Sequence, residues 1–168
     1  LKTKKLILPT VLALSLLTPA MAYADSIPTT DDAMPSAPLK EYVVQLKAND
    51  TMLNLDGTMK HMDTAPMLWH GVFYVPVRAL AEGVGAKVSW DDMSGATMVN
   101  IGDDVLKIWM GREKMDVNGV GIALGSKVIM NDDGRIMVPL RPVSMQLGWD
   151  LDYSMLDWSV TLTKMMGK

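Results

Sequence analysis

Two stretches of this sequence are copies of one another. Val75-Pro76-Val77-Arg78 returns as Val138-Pro139-Leu140-Arg141 at an offset of 63, and the same offset lays Gly85 on Gly148 and Trp90 on Tyr153. Upstream, Asp56-Gly57 matches Asn118-Gly119 at 62; downstream, Met98-Val99-Asn100-Ile101 matches Ser159-Val160-Thr161-Leu162 at 61. The period exceeds that of a solenoid repeat and corresponds to one small supersecondary unit. Whatever the first copy folds into, the second must also be able to fold into. The expectation is a duplicated domain over residues 41–168, with units at about 42–103 and 104–164.

Within the first copy, Val43–Leu46 and Met52–Leu55 alternate as strands, and Asp56-Gly57 is a turn dipeptide whose glycine supplies a positive φ. Val72–Val75 is a β-branched and aromatic strand stopped by Pro76, which has no N–H for a ladder. Val77, Leu80, Ala81 and Val84 then share one face of a short helix, and Gly85 stands where a left-handed cap is wanted. Lys87–Trp90 and Thr97–Ile101 alternate again. The second copy repeats the pattern with Val105–Trp109, Lys114–Val117, Arg135–Val138, a helix with the face Leu140, Val143 and Leu147, the Gly148 cap, and strands over 149–153 and 158–163. Pro142 falls in the first helical turn, where a missing N–H costs little. The resulting fold class is α+β: tandem duplicated units, each a curled antiparallel β-sheet packed on one short α-helix.

The N-terminal stretch is of a different kind. Lys2, Lys4 and Lys5 precede an apolar run from Leu6 to Leu17, and Ala22-Tyr23-Ala24 forms an A-x-A cleavage site, so residues 1–24 read as a secretory signal peptide. The apolar run is shorter than the roughly 20 residues a membrane span requires, and no later segment supplies a transmembrane anchor for the mature chain. Residues 25–40, with Pro28, Pro35 and Pro38, read as a flexible linker. The expected location is exported: cell surface, envelope or extracellular. The net charge is −3, and −6 without the three leader lysines, so nucleic acid is not an expected partner. The absence of cysteine removes disulfides and thiol chemistry.

The succession of Asn/Asp-Gly turn, strand ending Val-Pro-Leu/Val-Arg, short helix, Leu/Val-Gly, and aromatic-bearing strand resembles the copper amine oxidase N-terminal domain-like family, the stalk domains of exported bacterial proteins. The carriers are Asp56-Gly57, Val75-Pro76-Val77-Arg78, Ala81-Glu82, Gly85–Asp91 and Val99-Asn100-Ile101. In the second copy they are Asn118-Gly119, Val138-Pro139-Leu140-Arg141, Leu147-Gly148 and Val160-Thr161-Leu162. There Met145-Gln146 and Tyr153-Ser154 depart from the usual Ala-Glu and Trp-Asp. The resemblance implies a spacer or interaction module. It does not imply oxidase chemistry, which resides in a separate catalytic domain with three histidine copper ligands, and this chain has two histidines.

Candidate sites follow from residue types. Arg78 and Arg141, each two residues after the motif proline, either bind anions or pair a structural carboxylate with their stems on the core; the second reading is preferred. Asn131-Asp132-Asp133-Gly134 lacks the ligand alternation and closing glutamate of a calcium loop and reads as a hairpin. No serine sits in a nucleophile elbow, and Glu41, Glu82 and Glu113 form no recognisable acid/base pair, so no catalytic residue is expected. Met59, His61, Met62, Met67 and His70 lie within a dozen residues. Thioether with imidazole is a ligand set that favours copper, especially Cu(I), and a flexible loop here can gather it. Against this, methionine recurs throughout the chain, 16 times, as a gap filler. Trp90 and Tyr153, in equivalent strands, are expected in or near the core; Trp69, Trp109 and Trp158 have no such counterpart and are surface candidates. Pro76, Arg78, Gly85, Trp90, Pro139, Arg141 and Gly148 make up the structural motif. The reading is a non-catalytic envelope stalk or interaction module with no required cofactor, binding an envelope protein or a cell-wall polymer. The alternative is an extracytoplasmic copper-binding protein using the 59–70 loop.

Overall fold

The computed structural model describes residues 39–167; the expected signal peptide, and the linker up to residue 38, lie outside the described residues. The chain forms β1 (Lys40–Lys47), β2 (Met52–Leu55), β3 (Thr58–His61), β4 (Met67–Trp69), β5 (Val72–Pro76), α1 (Val77–Gly83), β6 (Lys87–Asp91) and β7 (Ala96–Ile101). It then forms β8 (Asp104–Ile108), β9 (Lys114–Val117), β10 (Val120–Ala123), β11 (Ile129–Met130), β12 (Ile136–Pro139), α2 (Leu140–Gln146), β13 (Asp150–Ser154) and β14 (Ser159–Met166). The second run repeats the first element for element. Neither helix, among the described residues, is long and apolar enough to cross a membrane.

Each helix begins on its motif proline. Pro76 and Pro139 are the N-cap residues, at φ −61 and −60. The pyrrolidine ring fixes that angle, and the missing N–H ends the strand ladder at the residue where the helix starts. Gly85 and Gly148, at φ +74 and +70, turn the chain out of the helices in a conformation that disfavours a side chain. Between these stops the helices bury Val77, Leu80, Ala81 and Val84 in one copy and Leu140, Val143 and Leu147 in the other.

The strands do not assemble as tandem units. Three antiparallel sheets form, in the orders β13-β14-β1-β2-β3, β10-β9-β8-β7-β6 and β11-β12-β5-β4. The α+β expectation of one sheet per unit, each on its own helix, is therefore corrected. Strands account for 52% of the described residues and helices for 11%, and all three sheets draw strands from both halves. Local connectivity explains the exchange. β7 runs through Gly102-Asp103 into β8, with Ile101 opposite Asp104, and this tight hairpin commits the last strand of the first half to the first strand of the second. The corresponding first strand, β1, is left to pair with β14 along its whole length, from Lys40–Met166 to Lys47–Ser159.

The two five-stranded sheets thus have the same internal order, one continuous in sequence and one closed by the two ends of the domain. The halves meet in the middle sheet. There β5 and β12 pair antiparallel with Val75 opposite Val138, its own counterpart in the repeat. Self-pairing of equivalent residues is the signature of two-fold symmetry, here within one chain. Val75 and Val138 are fully buried, and one apolar core runs from them to both helices and both outer sheets.

A second correction concerns register. Trp90 faces Thr97 and Tyr153 faces Val160 across their hairpins, so Thr97 corresponds to Val160 and Val99 to Leu162. The offset stays at 63 in the last strand, where sequence matching drifts to 61. A slip of two residues leaves an alternating in/out pattern unchanged, so alternation cannot detect it. The 59–70 segment, expected as a loop, contains β3 and β4 instead. Both are short strands with little burial to signal them.

Candidate functional site

The repeat generates two grooves at equivalent places, each bounded by the start of a helix, the hairpin that follows it, and the opening residues of β5 or β12. The first, of about 380 Å³, is lined by Pro76, Val77 and Arg78 of the α1 junction, Trp90 and Thr97 of the β6–β7 hairpin, and Gly134, Arg135 and Ile136 beside Asp63. The second, of about 560 Å³, is lined by the counterparts Pro139, Leu140, Arg141, Tyr153, Val160, Gly71, Val72 and Phe73, with Leu68, Leu124, Met155 and Trp158 added.

Their chemistry has diverged. In the first groove Arg135 Nε lies 2.7 Å from Asp63 Oδ2, both groups partly exposed. In the second, the position of Arg135 is Val72, and that of Thr97 is Val160. Its floor is a row of three rings packed edge to face: Phe73 lies 5.9 Å from Tyr153, and Tyr153 6.3 Å from Trp158. Such pairs add to simple area burial through the ring quadrupoles. Tyr153 also hides a hydroxyl with no hydrogen-bond partner.

Trp158 is held in an unusual way. The loops 92–95 and 155–158 are equivalent, flanked by the pairs Asp91–Ala96 and Ser154–Ser159. The last loop residue has a left-handed backbone in both, φ +63 at Gly95 and +58 at Trp158. Glycine adopts this freely; an L side chain there costs roughly 1–2 kcal/mol. The loop is tied down by Ala48 N–H donating to the Trp158 carbonyl at 3.0 Å and Ser159 Oγ donating to Asp157 at 2.8 Å. Hydrogen bonds from Ser154 and Ser159 hold the Asp157 carboxyl below its ordinary range. Trp158 is nonetheless 44% exposed, and Met155 and Leu156 beside it are exposed too.

The structure distributes the sequence candidates as follows. Met59 and His61 share the outward face of edge strand β3, with Met52 directly opposite His61 on β2. Met62 is in the core at 4% exposure. Met67 is on β4 in a different sheet, and His70 sits in the β4–β5 turn at φ +48, edge-on to Trp69 at 4.3 Å. The five are not brought to one place. The three-histidine copper centre of an amine oxidase does not fit these residues either, since the chain has two histidines, one on strand β3 and the other in the β4–β5 turn. The Asn131–Gly134 loop joins β11 to β12, and its Asp133 accepts a 2.6 Å hydrogen bond from Thr64.

Arg78 and Arg141 are exposed at equivalent groove rims, and among the described residues neither pairs with a carboxylate. Trp69 is exposed, while Trp109 is half-buried with Nε1 donating to the Ser94 carbonyl at 3.1 Å. Trp90, expected in or near the core, is 56% exposed; its place at the free edge of a sheet leaves one face uncovered. The aromatic row was missed as a unit because Phe73 joins it from another sheet. A signal for Trp158 did exist: aligning the two loops sets it against Gly95, where a bulky residue is out of place.

The family model of the copper amine oxidase N-terminal domain matches residues 54–162. No curated protein and no solved structure matches the chain significantly. The match runs from β2 to β14 and takes in both Val-Pro-x-Arg junctions, so the chain belongs to the copper amine oxidase N-terminal domain family, a non-catalytic stalk-type domain.

Proposed function

We propose that this chain is an exported interaction module of the bacterial cell envelope that holds an apolar segment of a partner protein in the aromatic groove beside α2. Export is supported by the signal-peptide pattern of residues 1–24. The observation that carries the binding reading is Trp158. A left-handed tryptophan is strained, its counterpart is glycine, and half its surface faces water, so fold stability alone gives little reason for it. Strain of this kind persists where surrounding structure enforces it and is concentrated at binding and switch sites.

The lining favours an apolar ligand. Leu68, Val72, Leu124, Leu151 and Val160 surround the rings, and the polar groups at hand are few: Ser126, Arg141 and the Tyr153 hydroxyl. Glycan sites need many hydrogen-bonding groups beside their aromatic platforms; this groove suits apolar side chains, with Arg141 placed to meet an acidic residue at the rim. The test places a photo-crosslinking phenylalanine derivative at Leu68 in the full-length protein on intact cells. The expected result is a discrete protein adduct that is lost when Trp158→Gly is added. Adducts confined to wall glycan, or a protein adduct indifferent to Trp158→Gly, would overturn the reading.

A further inference from the structure

We infer that the first groove is a separate binding site for a sugar ring carrying one negative charge, such as the acidic units of a wall polymer. The two grooves are built on the same backbone plan, yet the first has replaced apolar positions with polar ones where a ligand would lie. Val160 becomes Thr97 and Val72 becomes Arg135.

Three features define the ligand. Trp90, the indole directly across the hairpin from Thr97, is 56% exposed and is engaged by no other ring or cation among the described residues. A free, flat π-face at the mouth of a polar groove is a platform for the C–H face of a sugar. Thr97 is 5% exposed, and its hydroxyl is buried with no hydrogen-bond partner. A buried hydroxyl left unpaired is costly to the protein, and because Thr97 lines the groove, a rotation of its side chain toward the groove would let a ligand hydroxyl pair with it. Arg135 is already neutralised by Asp63 at 2.7 Å, and the pair presents one donor group and one acceptor group suited to sugar hydroxyls. Arg78 is unpaired among the described residues, so the groove has one uncompensated positive charge. A guanidinium fork takes a carboxylate or a phosphate in two hydrogen bonds.

This site is independent of the aromatic groove and stands if that reading fails. The experiment is calorimetric titration of the secreted protein with four probes: trigalacturonate, galactotriose, glucose 6-phosphate and inorganic phosphate. Trigalacturonate or glucose 6-phosphate should bind at least tenfold more tightly than galactotriose and inorganic phosphate; the preferred one of the pair identifies the anion as carboxylate or phosphate. Arg78→Gln should abolish that preference and its dependence on salt, and Trp90→Ala should weaken binding of the charged sugar at least tenfold. Both residues are exposed, so both variants should fold, which circular dichroism checks. Thr97→Val copies the other groove; it should keep the fold and lose affinity, whereas Trp158→Gly should leave affinity unchanged. Equal affinity for neutral and charged sugars, binding unaffected by Arg78→Gln, or no binding of either charged sugar at millimolar concentration would overturn the inference.

Discussion

Replacing Trp158 by glycine and by alanine separates the strain at this position from its packing. Both changes remove the same indole contacts. With 44% of the residue exposed, the part withdrawn from water is on the order of 100 Å², and at ~25 cal/mol/Å² its loss costs about 2–3 kcal/mol in either variant. The two then differ in the backbone. Alanine keeps the roughly 1–2 kcal/mol penalty of a left-handed L residue, and glycine is relieved of it. Glycine gives back some of that advantage through the greater freedom of the unfolded chain, about 0.5–1 kcal/mol. Trp158→Gly should therefore be more stable than Trp158→Ala by about 1 kcal/mol, the reverse of the usual order in regular structure. Gly95→Ala should lose a similar amount at the equivalent loop. Urea unfolding followed by circular dichroism on the full secreted chain measures both, and both 158 variants should lose partner capture alike. Alanine above glycine at 158 would show that the φ of +58 carries no strain and would remove the main support for a binding role.

The remaining expectations come from burial, pairing and charge. Residues 42–103 alone should show no cooperative thermal transition, because β1 loses β14 and β7 loses β8; a transition at the full-length midpoint would contradict the exchanged sheets. Met62→Ala should cost about 2–4 kcal/mol by emptying a core site, while Met59→Ala, on an exposed strand face, should stay within about 0.5 kcal/mol; denaturant midpoints compare them. Asp157 has its carboxyl held low by Ser154 and Ser159, so its contribution is complete above the ordinary carboxylate pKa and is lost as pH falls through the lowered value. A fluorinated Trp158 signal should therefore broaden or shift only at acid pH, below the ordinary carboxylate range, and one that moves near neutrality would assign the change to another group.

How the chain reads before it folds depends on which features are local. The repeat is visible because Val-Pro-x-Arg couples a strand stop to a helix start in four residues, and Pro76 and Pro139 do the same work in the structure. The glycine caps, the hairpin turns, the helix faces and the β7–β8 pairing are likewise short-range, fixed by φ preferences and by alternation. Copper-type ligands are legible as residue types but not as a site: Met62 turns into the core while Met59 and His61, on the same stretch, face outward. Tertiary structure alone decided which sheet each strand joined. Alternation says that a strand has a buried face and does not say whose neighbour it is, so the closure of β14 on β1 across the whole domain cannot be read from either strand. The same holds for the grooves. Phe73 reaches Tyr153 from a different sheet, and Arg135, just before β12, reaches Asp63 in the β3–β4 connection. The repeated backbone placed both grooves, and the side chains that make one aromatic and the other charged come from segments brought together only when the two halves exchange strands.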